Sequence, residues 1–344
     1  MKKSWISERI PVESGKIKEA LFGEKIPNHM KNWLLAMGTT PFILFPLQII
    51  TGMLLAFYFV PSTEMAFESV RHITEDIRYG FWMRGVHHWG ANLMVISLFL
   101  HMMRVFFTHS YRKPRELNWI IGFVLLFLTL TISFTGYSLT YNQVSFWAAT
   151  VGTNLVKEMP LIGGFLLEML RGGEGVTANT LTRFYTLHVW VLPIVITLII
   201  GVHILMMRMH GISEPEGFKK GHYDFYPGHF YKIIVVSLFL ISVLSLFSVV
   251  LPPGLGEPAN PAITPLHIKP EWYFFPVFLL LRLVPLKLGM AITGLSVILM
   301  IFWPFVEPMF SKKIKTRTTI ANTIGMIAIV IMIAFTILET FSII

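Results

Sequence analysis

Residues Val86 to Arg104 read VHHWGANLMVISLFLHMMR. The stretch is apolar enough to cross a lipid bilayer, yet it carries His87 and His101, fourteen residues apart, with Arg84 and Arg104 each three residues outward of one of them. Ionisable side chains inside a membrane segment are costly and mark sites or pathways. The rest of the chain has to be arranged around them.

That arrangement is expected to be all-α and polytopic. Of 344 residues, 54% are hydrophobic and 14% charged, and the apolar residues come in runs of about twenty, the length that spans hydrocarbon. Seven segments qualify: Trp33 to Phe59, Phe81 to Phe107, Trp119 to Thr140, Phe184 to Arg208, Ile233 to Leu251, Leu286 to Phe305 and Ile320 to Ile343. An odd number puts the termini on opposite sides. Of 28 lysines and arginines, 18 lie in the N-terminal segment, at Arg208 where the fourth segment ends, and in the loops after the second, fourth and sixth segments, so the positive-inside rule puts the N-terminus in the cytoplasm. The formal charge of +9 is this asymmetry, and nothing in it asks for nucleic acid. The opening MKKSWISERIPVESGKIKEALFG lacks the apolar core of a signal peptide and is expected to lie on the membrane surface. With no cysteine, disulfides, thiolate metal sites, iron–sulfur ligation and thioether attachment of a cofactor by this chain are excluded.

Three parts follow along the chain. Residues 1–32 form the amphipathic cytoplasmic segment, residues 33–211 hold four spans and every intramembrane histidine, and residues 212–344 hold three spans. The linker SEPEGFKKGHYDFYPGH joins the last two parts. The longest loop, LPPGLGEPANPAITPLHIKPEWYFFPVFLLLRLVP, opens rich in proline and ends in an apolar run expected to form a short surface helix; loops of that length are usually functional or disordered.

In the fourth segment, His188 and His203 are fifteen apart. At ~100° per residue each histidine pair returns to within about 40 to 60° of one helix face, ~21 to 22 Å apart along the axis. The second and fourth spans are separated by two reversals and run parallel, so His87 faces His188 near the outer side and His101 faces His203 near the cytoplasmic side. Two neutral imidazoles on opposite faces of a planar macrocycle are axial ligation for an electron-transferring haem. Zinc would ask for three or four converging ligands. Histidines that merely hydrogen-bond between helices are the bland alternative, and His88, which fits neither register, takes that reading. Gly38 and Gly52 in the first segment, and Gly122 and Gly136 in the third, repeat the fourteen-residue interval. Small residues often mark helix packing, but this spacing suits a haem edge close to backbone at two depths. Arg84, Arg104 and Arg183 stand where a guanidinium would meet haem propionates, or would simply snorkel to the interface.

These residues resemble the cytochrome b subunit of the cytochrome bc and cytochrome bf complexes. The resemblance rests on GVHHWGANLMVISLFLH, KPRELNW, TGYSL, QVSFWAATVGTNL, LTRFYTLH, GEPANP and PEWYFFPVF, and runs over nearly the whole chain. The seven spans and the fifteen-residue interval resemble the plastid type, with its four-helix and three-helix chains fused here. The resemblance implies two non-covalent b-type haems, quinol oxidation at the outer face and reduction of a quinone at the cytoplasmic face, coupled to proton translocation. It implies a Rieske iron–sulfur protein and a c-type cytochrome as partners, a homodimer, and an energy-transducing membrane, expected to be the bacterial cell membrane. Glu271 and Tyr273 become the catalytic candidates, with Tyr137, Phe146, Ala148, Pro270 and Trp272 lining the quinol site. Trp119 joins the haem contacts, and Arg208 and Lys31 the cytoplasmic quinone side. From the residues alone, Glu271 before an interfacial Trp-Tyr pair could equally be a solvated carboxylate.

Ala148 replaces a glycine of mitochondrial-type relatives, Thr140-Tyr141 replaces Pro-Trp, and Ala36 stands where plastid-type relatives carry a haem-tethering cysteine. No covalently attached haem is therefore expected. Two other classes compete. A di-haem anchor of a dehydrogenase or hydrogenase leaves PEWY and the last three spans without a purpose, and a non-redox transporter with buried histidines would lack b-type absorption bands.

Overall fold

The computed structural model describes residues 5–9, 25–32, 36–214, 221–265 and 268–342. Most of the N-terminal surface segment, the start of the first apolar segment at Trp33 and the middle of the polar linker fall outside them. Among the described residues, six helical rods are long and apolar enough to cross a membrane. They are α2 (Thr39–Ala56), α4 (Gly80–Phe107), α5 (Glu116–Ser138), the rod Ala178–His210, the rod Phe225–Val250 and α14 (Ile314–Phe341). Within the Ala178–His210 rod, α8 (Ala178–Thr186) and α9 (Leu192–His210) flank a π turn at Leu187–Val191. In the next rod, the backbone leaves the helical region at Tyr226 (φ −101°, ψ 134°), and the continuous helix is α10 (Phe230–Val250).

The sixth expected span is bent. α12 (Leu286–Ile301) and α13 (Trp303–Phe310) meet at 83°, and taken as one span they make the seventh. The break falls at Phe302, whose φ and ψ of −91° and 10° leave the helical region, next to Pro304 in the first turn of α13. Proline supplies no amide donor and favours a helix start, so a straight helix through Phe305 is not available.

Short amphipathic helices cover the loops. α1 (Trp5–Arg9) precedes α2, α3 (Ala66–Glu75) follows it, and α6 (Gln143–Lys157) and α7 (Gly163–Arg171) lie between α5 and α8. α6 starts on a capping box: the Ser145 amide donates to Asn142 Oδ1 at 2.9 Å, and the Asn142 amide donates to Ser145 Oγ at 3.0 Å. The long loop ends in a 3₁₀ turn at Trp272–Phe274 and α11 (Phe275–Leu283), as its apolar end suggested. One antiparallel pair, β1 (Lys25–Pro27) with β2 (His222–Asp224), fastens the N-terminal segment to the linker.

Leu125, Leu192 and Ile196 fasten α5 to α9 within the four-span part. Two further buried clusters join the parts: Leu44, Val86 and Met94 of α2 and α4 pack with Val236, Leu240 and Leu244 of α10, and Phe106, Tyr111 and Trp119 pack with Trp303 and Ala321. Large apolar residues such as Leu198, Val235, Phe239 and Val330 face outward. In water they would be a liability. In a bilayer they are the solvent-facing surface, and the backbone polar groups beneath them are closed within helices.

Candidate functional site

α4 and the Ala178–His210 rod bring the four histidines together in two pairs. The His87 and His188 rings lie 6.2 Å apart between centroids, and those of His101 and His203 6.5 Å apart, each pair near a right angle. A metal–imidazole bond of ~2 Å on each side, plus about 1 Å from nitrogen to ring centre, calls for centroids ~6 Å apart. Each pair therefore has the spacing of two axial ligands sharing one iron. Among the described residues no three histidine, cysteine, aspartate or glutamate side chains are placed to share an ion.

Hydrogen bonds set which nitrogen is free. His188 Nδ1 lies 2.9 Å from the Ile132 carbonyl, which can only accept, so Nδ1 carries the proton and Nε2 keeps its lone pair. His87 Nδ1 lies 2.9 Å from Thr51 Oγ1, whose own proton goes to the Leu47 carbonyl at 2.8 Å, and the same tautomer follows. His101 keeps a buried Nδ1 without a hydrogen-bond partner among the described residues, and the His203 ring faces the Asn118 backbone.

The four glycines sit against the imidazoles themselves. A Cβ on Gly38 would come within 3.0 Å of His101 Cε1, one on Gly52 within 3.1 Å of His87 Cε1, and one on Gly122 within 3.5 Å of His203 Cε1. Gly136 is closer still to the His188 ring. The glycines expected beside a haem edge thus lie against the rings of the four paired histidines, where a side chain would crowd the imidazole.

The fifteen-residue interval has a local cause. The Leu192 amide bonds to the Leu187 carbonyl, a five-residue step in place of four, so the π turn directly around His188 absorbs one residue. With that residue absorbed, His188 and His203 match the fourteen-residue register of α4.

One cavity opens beside the His87–His188 pair and runs to the turn before α11. Gly52, His87, Gly136 and His188 line one part; Tyr137, Glu271 and Tyr273 line another, with Arg84, His88 and Asn92 along its wall. Burial pushes the Glu271 carboxyl above the usual carboxylate range. Burial first, and the Glu271 charge next, push the Tyr273 phenol up as well.

Other candidates lie elsewhere. Phe146, Ala148, Pro270 and Trp272 are not among the lining residues of that cavity. Phe146 is buried with Ala66, Leu139, Tyr141, Ala149, Leu181 and Phe184, and the Trp272 indole donates to Asn92 Oδ1 at 2.7 Å. Arg84 lines the cavity while donating to the Pro253 and Gly254 carbonyls at 2.8 and 2.7 Å. Arg183 points away, to the Glu168 and Met169 carbonyls. Trp119 is buried and donates to the Met300 carbonyl at 2.8 Å. Arg104 and Arg208 are half-buried in the last turns of α4 and α9, and the Lys31 ammonium stands 5.1 Å above the Tyr223 ring. Asn92 was missed from sequence, and its position one turn beyond His88 was the only available signal.

A family model described as cytochrome b/b6/petB matches residues 21–211, and one described as cytochrome b(C-terminal)/b6/petD matches residues 258–342. Cytochrome b6 of Heliobacterium mobile is 43% identical over 212 residues, which are 62% of this chain and 99% of that protein. The cytochrome bc complex cytochrome b subunit of Chlorobaculum thiosulfatiphilum is 40% identical over 284 residues, 81% of this chain and 66% of that one. A solved chain from a hyperthermophilic respiratory Complex III superposes with a TM-score of 0.76 at 28% identity, covering 97% of both chains. By fold, sequence and the match of both parts, the chain belongs to the cytochrome b/b6 family of haem-binding integral membrane proteins.

Proposed function

We propose that the chain is the cytochrome b of a complex III-like quinol oxidoreductase, with two non-covalent b-type haems held by His87 with His188 and by His101 with His203. The observation that carries this is the pair of imidazole separations, 6.2 and 6.5 Å, at two depths of one bundle. A haem held by two imidazoles supplies reversible one-electron transfer with no open position for oxygen. Along α4 the two pairs lie ~21 Å apart, so they would hold such groups most of the way across the hydrocarbon.

Quinol binds in the cavity shared by Tyr137, Glu271 and Tyr273, on the outer side. The raised carboxyl of Glu271 takes a proton from a quinol hydroxyl, which a carboxylate does best when its pKa approaches the working pH. The two tyrosines flank it and keep bulk water out. One electron leaves to a Rieske iron–sulfur protein and a c-type cytochrome subunit; the other crosses to a quinone bound on the cytoplasmic side near Lys31 and Arg208. Arg84 and Arg104 are assigned to the propionates, Arg84 through groups left over from its two carbonyl bonds. The N-terminus is cytoplasmic in a bacterial cell membrane, and the complex is a dimer. Nothing in this chain favours the dehydrogenase-anchor alternative, which has no use for the matched C-terminal part.

Stopped-flow reduction of the b-type bands by quinol, in the purified complex with and without Glu271→Gln, tests the chemistry. Glu271→Gln is expected to slow it roughly 10²-fold, the scale of a lost general base. An unchanged rate removes Glu271 from the reaction.

A further inference from the structure

The turn that presents Glu271 and Tyr273 is fastened directly to the helix that carries His87. Trp272, between those two residues, donates its indole N–H to Asn92 Oδ1 at 2.7 Å, across 180 residues of sequence. Asn92 is itself oriented, because its amide nitrogen donates to the His88 carbonyl at 3.0 Å. α4 is steadied at that level by the His87–Thr51 bond. The 3₁₀ turn is closed by the Phe274 amide on the Glu271 carbonyl at 2.9 Å, and the Trp272 ring meets Tyr273 edge-on at 5.5 Å. Moving the indole therefore moves both neighbours.

We propose that Asn92 is a positioning residue for quinol oxidation: through Trp272 it fixes how far the Glu271 carboxylate stands from the His87–His188 pair. The proposal rests on the quinol-oxidising reading above. Asn92, Glu271 and Tyr273 line one cavity, so the proton-accepting group and the electron-accepting end of the reaction are registered by one side-chain hydrogen bond rather than by the long loop before Pro270. Proton transfer depends on heavy-atom distances held within a few tenths of an ångström of hydrogen-bond reach. A part-buried bond whose acceptor is itself oriented by a second hydrogen bond, Asn92 to the His88 carbonyl, holds that distance.

The test compares wild type, Asn92→Leu, Trp272→Phe and the double variant as purified complexes. The rate of b-band reduction is read by stopped flow with a decyl-naphthoquinol and a decyl-benzoquinol, beside haem content and the midpoint potentials of both b components. Each single variant is expected to slow reduction about tenfold, the double variant no further, with haem content and potentials unchanged. Wild-type rates in either single variant, multiplicative losses in the double, or a shifted potential would each overturn the proposal, the last by showing that Asn92 acts on the haem pocket. If Asn92→Leu fails to assemble, Trp272→Phe leaves α4 untouched and carries the same comparison. A wild-type complex reduced by neither quinol would sink the underlying reading; an active wild type with an unaffected Trp272→Phe sinks only the assignment of Asn92.

Discussion

Glu271 is the residue proposed to take the quinol proton. Its folded-state pKa lies above the unfolded value because burial penalises the charged form. Below the unfolded pKa its stabilising contribution is fully present, and it is lost as pH rises through the raised value, when a buried carboxylate must be carried uncompensated. Function runs the other way, since only the carboxylate accepts a proton. Quinol-driven haem reduction is therefore expected to rise with pH through a limb above the ordinary carboxylate range, and Glu271→Gln to flatten that limb; a wild-type limb near pH 4 would contradict the burial argument. The glycines give a graded expectation. Gly136→Ala drives a methyl into the His188 ring, whereas Gly122→Ala meets His203 at ordinary contact distance. Haem content of the purified variants is expected to fall to one haem for Gly136→Ala and stay at two for Gly122→Ala. Equal retention would mean the imidazole contact is not what those glycines serve. Spacing exposed all four glycines in the sequence, but not what they touch, because the same interval fits a macrocycle edge or a ligand ring.

At the scale of elements, the π turn in the Ala178–His210 rod reconciles a fifteen-residue interval with a fourteen-residue one. Deleting Trp190, an exposed residue within that turn, is expected to let the turn relax to α-helix and leave both b components in the difference spectrum. Deleting Ile96 from α4, which has no such turn between its histidines, rotates one ligand by ~100° relative to the other and removes a component. If both deletions behave alike, the π turn is not the register device. Long spans were legible because twenty apolar residues have few other destinations. The break at Phe302 was half legible, since Pro304 lay inside an otherwise continuous apolar run and continuity was given more weight. α3, α6 and α7 were not legible at all: they are short, and their apolar faces are defined by neighbours far along the chain. The carbonyl partners of Arg84 lie 169 and 170 residues away, beyond any local pattern.

The whole molecule is two parts that hold one another by side chains as well as by the linker. Glu307 on α13 is 1% exposed and accepts from Arg112 in a two-pronged pair, with Thr318 bonded to the same guanidinium. Trp303 donates to Tyr111 at 3.1 Å, Trp119 to Met300, and Trp89 to the Leu251 carbonyl at 2.9 Å. Glu307→Ala leaves Arg112 and Arg317, which stands 3.7 Å from the same carboxylate, facing a buried gap; it is expected to cost about 3 kcal/mol, read as a lower unfolding temperature in detergent, and a change near zero would mean water reaches the site. The cytochrome b6 relative, matched over 99% of its own length, covers only 62% of this chain. Co-expressing residues 1–214 and 221–344 as separate chains is accordingly expected to give a haem-loaded complex that co-purifies, and separation of the two pieces on purification would show that the linker is required. The central claim is that four histidines make two sites. Redox titration of the b-type bands in wild type, His87→Ala and His101→Ala measures it directly. Two components are expected in wild type, with a different one missing in each variant. A single component in wild type, or loss of the same component in both variants, would contradict it.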